Sequence, residues 1–343
     1  MVLKSNEMID SGEISVVIQG AFDNLITPKT INSIKKYLPK AEIILSTWEG
    51  TSVPENLSVD KILLNKDPGC YAYNNSPKAK KNNVNRQIVS TFNGLKSATR
   101  KYVLKIRTDF ILTGNNFLNY FDKYKKVNPK YQLFEKRVLA CSFFSRQPEI
   151  LKMPFFMSDL IFFGLTKDVL KLFDIPLYPK EEEFVVEYQG FLWNRYAPEQ
   201  YIFCSALKKN NLPFSLKNTW DLTEKNIEQT HNYFVNNFVF LSFGQYDIIP
   251  SDSIVKIDLC YSDCYTLFRW KNLYKKYVDS EFIIEEKSDS VFKNLAKIDK
   301  IHFALKVICL VGITVENRRK IKYWIMDHFK FLDKLFRKLL LNA

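Results

Sequence analysis

Glycine and histidine are scarce in this 343-residue chain, at 10 and 3 copies, and the glycines never gather into a motif. No Gly-x-Gly-x-x-Gly turn, no Gly-x-x-x-x-Gly-Lys-Ser/Thr loop and no Gly-x-Ser-x-Gly elbow occurs, which removes the usual dinucleotide, P-loop and serine-hydrolase signatures. His231, His302 and His328 stand too far apart in sequence for metal-ligand spacing. Cys70, Cys141, Cys204, Cys260, Cys264 and Cys309 are scattered, so the expectation is free thiols packed in a core rather than a disulfide framework or a zinc site. No basic segment followed by an apolar run opens the chain, which points to a reducing cytosolic location. No run approaches the ~20 apolar residues of a membrane-spanning helix; the best, residues 301–313, is broken by His302 and Lys306.

What is present is a core. Hydrophobic residues make up 46% of the chain, with 28 Phe and 18 Tyr among them, a composition that excludes disorder. One large α/β domain over 10–280 and a basic amphipathic helical tail over 281–343 fit the pattern. The net charge is +13, and from Lys293 onwards twelve Lys or Arg face four Asp or Glu, so the tail carries most of that excess. Its apolar residues Ile321, Trp324, Ile325, Phe329, Leu332, Phe336 and Leu339 recur at helical spacing among the basic ones, as in a helix lying on anionic lipid. The alternative is a helix packed on the domain or on a partner. With no basic recognition helix, zinc knuckle or RNP-type strand, no nucleic-acid partner is expected.

Along the chain, Ile14–Gln19 is a β-branched run ended by Gly20, the pattern of a buried first strand in a parallel sheet. Thr27-Pro28 suits an N-cap and first helical residue, and Ile31, Ile34 and Leu38 repeat at helical spacing up to Pro39. Strands are expected over 41–47 and 60–64, which makes a βαβ unit. The polar stretch 68–83 is expected as a long loop over the mouth of a site. A helix over 85–98, strands over 102–106, 138–144, 160–164 and 238–243, and helices over 167–173 and 198–209 complete the reading.

In open α/β sheets ligands bind beyond the carboxyl ends of the strands. Those ends here are Gln19 and Gly20, Trp48 and Glu49, Asp67, and Arg107-Thr108-Asp109. In an extended tripeptide Arg107 and Asp109 point the same way. Arg107 can hold a diphosphate or a sugar carboxylate, and Asp109 a divalent cation or a ribose hydroxyl; a plain ion pair at a strand end is the simpler alternative. Asn85 and Arg86 open a helix, where phosphate is welcome, although ordinary capping would also place polar residues there. Asp159 stands in the apolar run 155–163, where an acid is costly unless paired or functional. Glu199 follows Pro198 at a helix start, where the helix dipole favours an anion even without function.

Taken in order, Val16-Val17-Ile18-Gln19-Gly20, residues 41–50, Asp67-Pro68-Gly69, residues 83–91 and Leu104-Lys105-Ile106-Arg107-Thr108-Asp109 resemble the WavE lipopolysaccharide synthesis family over about residues 14–112. Fainter similarity runs through Ser158-Asp159 and Pro198-Glu199-Gln200 to about 249, and the tail after 280 lies outside it. The resemblance implies a GT-A-like, nucleotide-sugar-binding, Rossmann-type α/β fold with a mixed, mostly parallel sheet. It implies a glycosyltransferase moving a sugar from a nucleotide-sugar donor to a hydroxyl of a bacterial lipopolysaccharide core, capsule or other surface glycan. The donor would then meet Gln19, Gly20, Asp67, Asn85, Arg86, Arg107 and Asp109, and Glu199, or failing it Asp159, would act as base. Arg107-Thr108-Asp109 would stand in place of the family fold's Asp-x-Asp signature. With arginine at the first position, a divalent cation (Mg or Mn) would rest on Asp109 alone, a weak cage. Such an enzyme would sit peripherally on the inner face of the cytoplasmic membrane; the alternative function is a non-catalytic glycan-binding or assembly subunit.

Overall fold

The computed structural model describes residues 9–76, 79–179, 185–188, 191–251, 254 and 264–284. Ile14–Gln19 forms β1, buried at every position, as a strand covered on both faces must be. Thr27–Tyr37 follows as α1. Thr27 is its first helical residue rather than its cap. The Asp23 carboxylate already accepts the amides of Leu25 and Ile26, both at 2.8 Å, and the Thr27 hydroxyl accepts the Asp23 amide at 3.0 Å.

The chain then runs through β2 (Glu42–Trp48), β3 (Lys61–Asn65), the short strands β4 (Tyr71–Ala72) and β5 (Lys81–Asn82), α2 (Val84–Ser97), β6 (Tyr102–Arg107) and β7 (Ile111–Leu112). Next come β8 (Val138–Cys141), α3 (Pro148–Leu151), β9 (Phe162–Leu165), α4 (Thr166–Phe173) and the hairpin strands β10 (Val185–Tyr188) and β11 (Phe191–Asn194). The last described elements are α5 (Pro198–Lys209), α6 (Glu224–Asn237), β12 (Phe238–Leu241), β13 (Ile248–Ile249) and α7 (Leu267–Tyr277).

Seven strands form the central sheet in the order β12-β8-β9-β6-β1-β2-β3. All neighbours are parallel except β9, which runs antiparallel to both β6 and β8. The sheet is therefore mixed and mostly parallel. From β1 the chain steps outward to β2 and β3, then crosses back over α2 to place β6 on the other side of β1, so a topological switch point lies between β1 and β6. One face of the sheet is covered by α2, which lies close enough that a Cβ on Gly94 would come within 2.3 Å of Val17 Cγ1. On the other face Phe163 of β9 is packed by Phe117 and Phe121, with ring centroids 5.1 and 5.4 Å away.

Several elements depart from the sequence reading. The strand expected over 138–144 stops at Cys141, because Ser145 donates back to the Ser142 carbonyl at 2.9 Å and Phe144 turns left-handed at φ 66°. The stretch 68–83 is not a plain loop: it contains the β4–β5 pair and docks on the β10–β11 hairpin, with Asn194 N–H donating to the Tyr73 carbonyl at 3.0 Å and Asn75 N–H to that of Leu192 at 3.1 Å. Helices α6 and α7 and the β10–β11 hairpin are additional to the elements expected from the sequence. In α6 the buried face is rich in asparagine, a poor helix former, and those amides are used by neighbours: Asn236 Oδ1 accepts Asn128 N–H at 2.7 Å and Asn237 Oδ1 accepts Leu133 N–H at 2.6 Å. Cys141, Cys204 and Cys264 are buried free thiols and Cys70 is half-buried. The proposed tail beyond residue 284, with Cys309, His302 and His328, lies outside the described residues, as does Cys260.

Candidate active site

The carboxyl ends of β1, β2 and β6 open onto a cleft of about 550 Å³ at the switch point. Gln19 and Gly20 end β1, Trp48 ends β2, and Arg107, Thr108 and Asp109 end β6; all six line it. Parallel register puts Gln19 beside Arg107 on one side and Ser46 on the other. Gln19 is fixed by the Ser90 hydroxyl, which donates to its Oε1 at 3.0 Å. Gly20 takes φ 127° while donating to the Ser46 carbonyl at 3.1 Å, a conformation only glycine adopts without strain. Its bare Cα also lets Thr108 close in, since an added Cβ would lie 3.2 Å from Thr108 Oγ1.

Arg107 and Asp109 do point the same way, and they meet in a two-pronged ion pair, Nε to Oδ1 at 2.8 Å and Nη2 to Oδ2 at 2.9 Å. The ion pair anticipated as the simpler alternative is therefore real, yet it forms a wall of the cleft, with the Arg107 side chain 33% exposed. Burial would raise the Asp109 carboxyl, but the Arg107 guanidinium and the Ser251 hydroxyl hold it below its ordinary value. Both Asp109 oxygens are thus engaged, and among the described residues no three His, Cys, Asp or Glu side chains come together as metal ligands.

The start of α2 supplies Asn83, Arg86 and Gln87 to the opposite wall. Arg86 is held by Asp67 through Nε at 2.8 Å and Nη2 at 2.6 Å, so Asp67 acts by aiming Arg86 and does not itself line the cleft. Asn85, expected at the donor, points away. Its amide is buried, accepting Tyr178 N–H at 2.6 Å and donating to the Tyr178 carbonyl at 3.2 Å and to the Tyr71 hydroxyl. The adjacent side chains of one helical turn face different ways, and only tertiary structure shows which faces the cleft.

Asp159 and Glu199 do not line the cleft; Asp159 adjoins it, and Glu199 is linked to it only through Asp159. Gln87, which does line it, donates through Nε2 to the Asp159 carbonyl at 2.8 Å. Burial raises the Asp159 carboxyl, while Lys105 and then Arg107 pull it down. Burial also raises Glu199, and the Asp159 charge raises it further. The two acids therefore sense each other, and Asp159 senses Arg107, so all of these groups share one electrostatic neighbourhood. Tyr73, from the segment between β4 and β5, senses both carboxylates. Two neighbouring carboxyls, both raised by burial and one raised further by the other, are the arrangement of groups able to take and release a proton near neutrality.

Sequence reasoning missed Gln87 as a lining residue, Ser251, and Lys105. Ser251 follows Pro250 with no local signal. Lys105 did leave one: a lysine in the middle of the otherwise apolar run Tyr102-Val-Leu-Lys-Ile. His231, expected to be inert, is buried with Nε2 3.1 Å from Glu149 Oε1, away from the cleft.

No curated protein matches the chain. A family model described as WavE lipopolysaccharide synthesis matches residues 14–303, running past the limit of 280 that the sequence motifs suggested. Because that match takes in every described strand and helix, from β1 to α7, the chain belongs to the WavE lipopolysaccharide synthesis family.

Proposed function

We propose that this member of a lipopolysaccharide synthesis family is a GT-A-like glycosyltransferase that passes a sugar from a nucleotide-sugar donor to a hydroxyl of a surface glycan. One observation carries the reading: a polar cleft at the β1/β6 switch point, walled by Arg86, Arg107 and Asp109, with the Asp159–Glu199 acid pair electrostatically joined to it. The donor diphosphate lies between Arg86 and Arg107 near the start of α2, where two guanidiniums and the helix N-terminus favour an anion. Trp48 and Gln19 flank the nucleoside.

Glu199 removes the proton from the acceptor hydroxyl as that oxygen attacks the anomeric carbon and the nucleoside diphosphate leaves. Asp159 faces Arg107, whose charge opposes the effect of burial on its carboxyl. The family fold often employs a divalent cation, but a lone carboxylate with both oxygens bound by Arg107 does not fit one. No step is routed through a metal, and Arg86 and Arg107 neutralise the leaving group.

The test is turnover, read as nucleotide-sugar hydrolysis or transfer, after a thermal-shift screen of nucleotide sugars with and without manganese has found the donor. Glu199→Gln is expected to lose about 10²- to 10⁴-fold in turnover with donor affinity kept, and Arg107→Ala to lose donor binding by calorimetry. Wild-type turnover in both Glu199→Gln and Asp159→Asn removes the base; a native protein that binds glycan but neither binds nor hydrolyses any nucleotide sugar is an assembly subunit. The basic C-terminal segment adds a second part to the proposal, attachment to an anionic membrane surface on the cytoplasmic side.

A further inference from the structure

Lys105 has no part in the mechanism above, yet its placement is hard to account for by packing alone. It lies on β6 two residues before Arg107, on the same face, and is fully buried. A buried ammonium is costly, and leucine or methionine would fill the same space without that cost. Its Nζ donates to the carbonyl oxygens of Asp159 at 2.5 Å and Leu160 at 3.3 Å, with the Phe162 and Phe173 rings each 5.8 Å away. Residues 159–161, which lead into β9, have no regular hydrogen-bonded structure of their own. The Asp159 carbonyl is thus held twice, by Gln87 from the cleft wall and by Lys105 from the sheet.

We infer that Lys105 is the positioning residue of the acid pair: it pins the Asp159–Leu160 backbone and, with Arg107, sets positive charge opposite the Asp159 carboxylate. Lys105 and Arg107 thereby oppose burial at Asp159, which makes it the readier of the pair to ionise and leaves Glu199 to exchange the proton. The assignment rests on the transferase reading of the pair. Asp159 is faced by Lys105 and Arg107 from β6, Gln87 from α2, Glu199 from α5 and Tyr73 from between β4 and β5. Lys105 is in turn faced by Asp159, Arg107 and Asp109. Lys105 and Arg107 are the cations that act most strongly on Asp159, so removing one of the two must show. Burial also draws Lys105 down to about 7, which makes its charge conditional near neutrality.

The experiment is a carboxyl carbon-13 NMR titration of the full-length protein, with Asp159 and Glu199 resonances assigned through Asp159→Asn and Glu199→Gln. Lys105→Met removes both hydrogen bonds and charge, whereas Lys105→Gln removes the charge and keeps a donor for one of the two carbonyls. In both, the Asp159 midpoint is expected to rise by about one pH unit or more. Turnover at neutral pH is expected to fall about tenfold with donor KM within about twofold. An unmoved Asp159 midpoint in Lys105→Gln overturns the inference and leaves Lys105 a structural tether. If neither variant is native, Glu199→Gln decides, since there the neighbouring acid no longer titrates. Asp159 must then show a second inflection near neutral pH as Lys105 loses its proton, and a single inflection overturns the inference. Absence of turnover in every form retires the transferase reading without touching the titration result, so the two failures are told apart.

Discussion

At the scale of single residues, the same tripeptide satisfies two readings at once. Arg107 and Asp109 neutralise each other and still face the cleft, because a strand end exposes alternate side chains to one side. The acids behind them obey a simple order of charges. Glu199 is raised by burial and by Asp159, so as a base it becomes active only as pH climbs through a value above the ordinary ~4.3 of a glutamate. The acid limb of the pH–rate profile should therefore lie above that range, and Asp159→Asn, which removes the neighbouring negative charge, should move it to lower pH. A limb that stays in place, or moves up, in that variant would show that Asp159 does not act on Glu199. The residues whose place at the cleft was legible beforehand were those at strand ends, namely Gln19, Gly20, Arg107 and Asp109. Asn85 and Arg86 are consecutive and chemically similar in promise, and only the packing of residue 178 against α2 assigned one to structure and the other to the cleft.

At the scale of elements, α2 governs the site because it delivers Arg86 and Gln87 while pressing against β1. That pressure is concentrated at Gly94. In an exposed helix Gly→Ala gains up to about 1 kcal/mol, but here the new methyl would meet Val17 Cγ1 at 2.3 Å on a buried strand with no room to retreat. Overpacking wins, and Gly94→Ala is expected to lose about 1–3 kcal/mol in chemical denaturation; a stabilised variant would mean that α2 can lift away from the sheet. Helices α1 and α5 were readable because a proline marks the start of each, joined in α1 by an apolar stripe. By contrast α6 was hidden. Its buried asparagines look like loop residues in sequence, and they are tolerated because their amides hold the 128–134 segment in place.

At the scale of the molecule, the two ends of the sheet do different work. The carboxyl ends hold the cleft, and the opposite end is locked by Glu42. Ser15 Oγ donates to Glu42 at 2.5 Å, Thr99 N–H at 2.9 Å and Lys61 Nζ at 2.8 Å, tying β1, β2, β3 and the link to β6 together. Burial would raise this carboxyl, but those donors outweigh it and bring it down to about 2. A depressed folded-state value means stability that is complete above the unfolded ~4.3 and lost as pH falls toward 2. The amount is at most about 3 kcal/mol, reduced by solvent screening of the pair with partly exposed Lys61. Denaturant titrations across that window should show the loss in the wild type and a flatter profile in Glu42→Gln; equal acid slopes would discharge Glu42 from the role. Among the described residues no helix is long and apolar enough to cross a membrane. The proposed attachment rests on the basic composition of the segment from Lys293 onwards, and flotation on anionic liposomes is expected for the full chain and not for one ending before Lys293. Equal flotation of both would move the contact elsewhere.

What the sequence determined by itself was periodicity and position: β-branched runs that must be buried strands, the βαβ start, the strand ends that line the cleft, and the family resemblance those blocks carry. Those depend on neighbours along the chain, within reach of a 2- or 3.6-residue repeat. Tertiary structure alone decided which side chains share a space. It brought Asp159 and Glu199 together from segments forty residues apart, turned Asn85 inward, and set Lys105 beneath Asp159. The physical reason is that electrostatic and hydrogen-bond partners are chosen by distance in space, and burial fixes how strongly they act, neither of which a linear pattern contains.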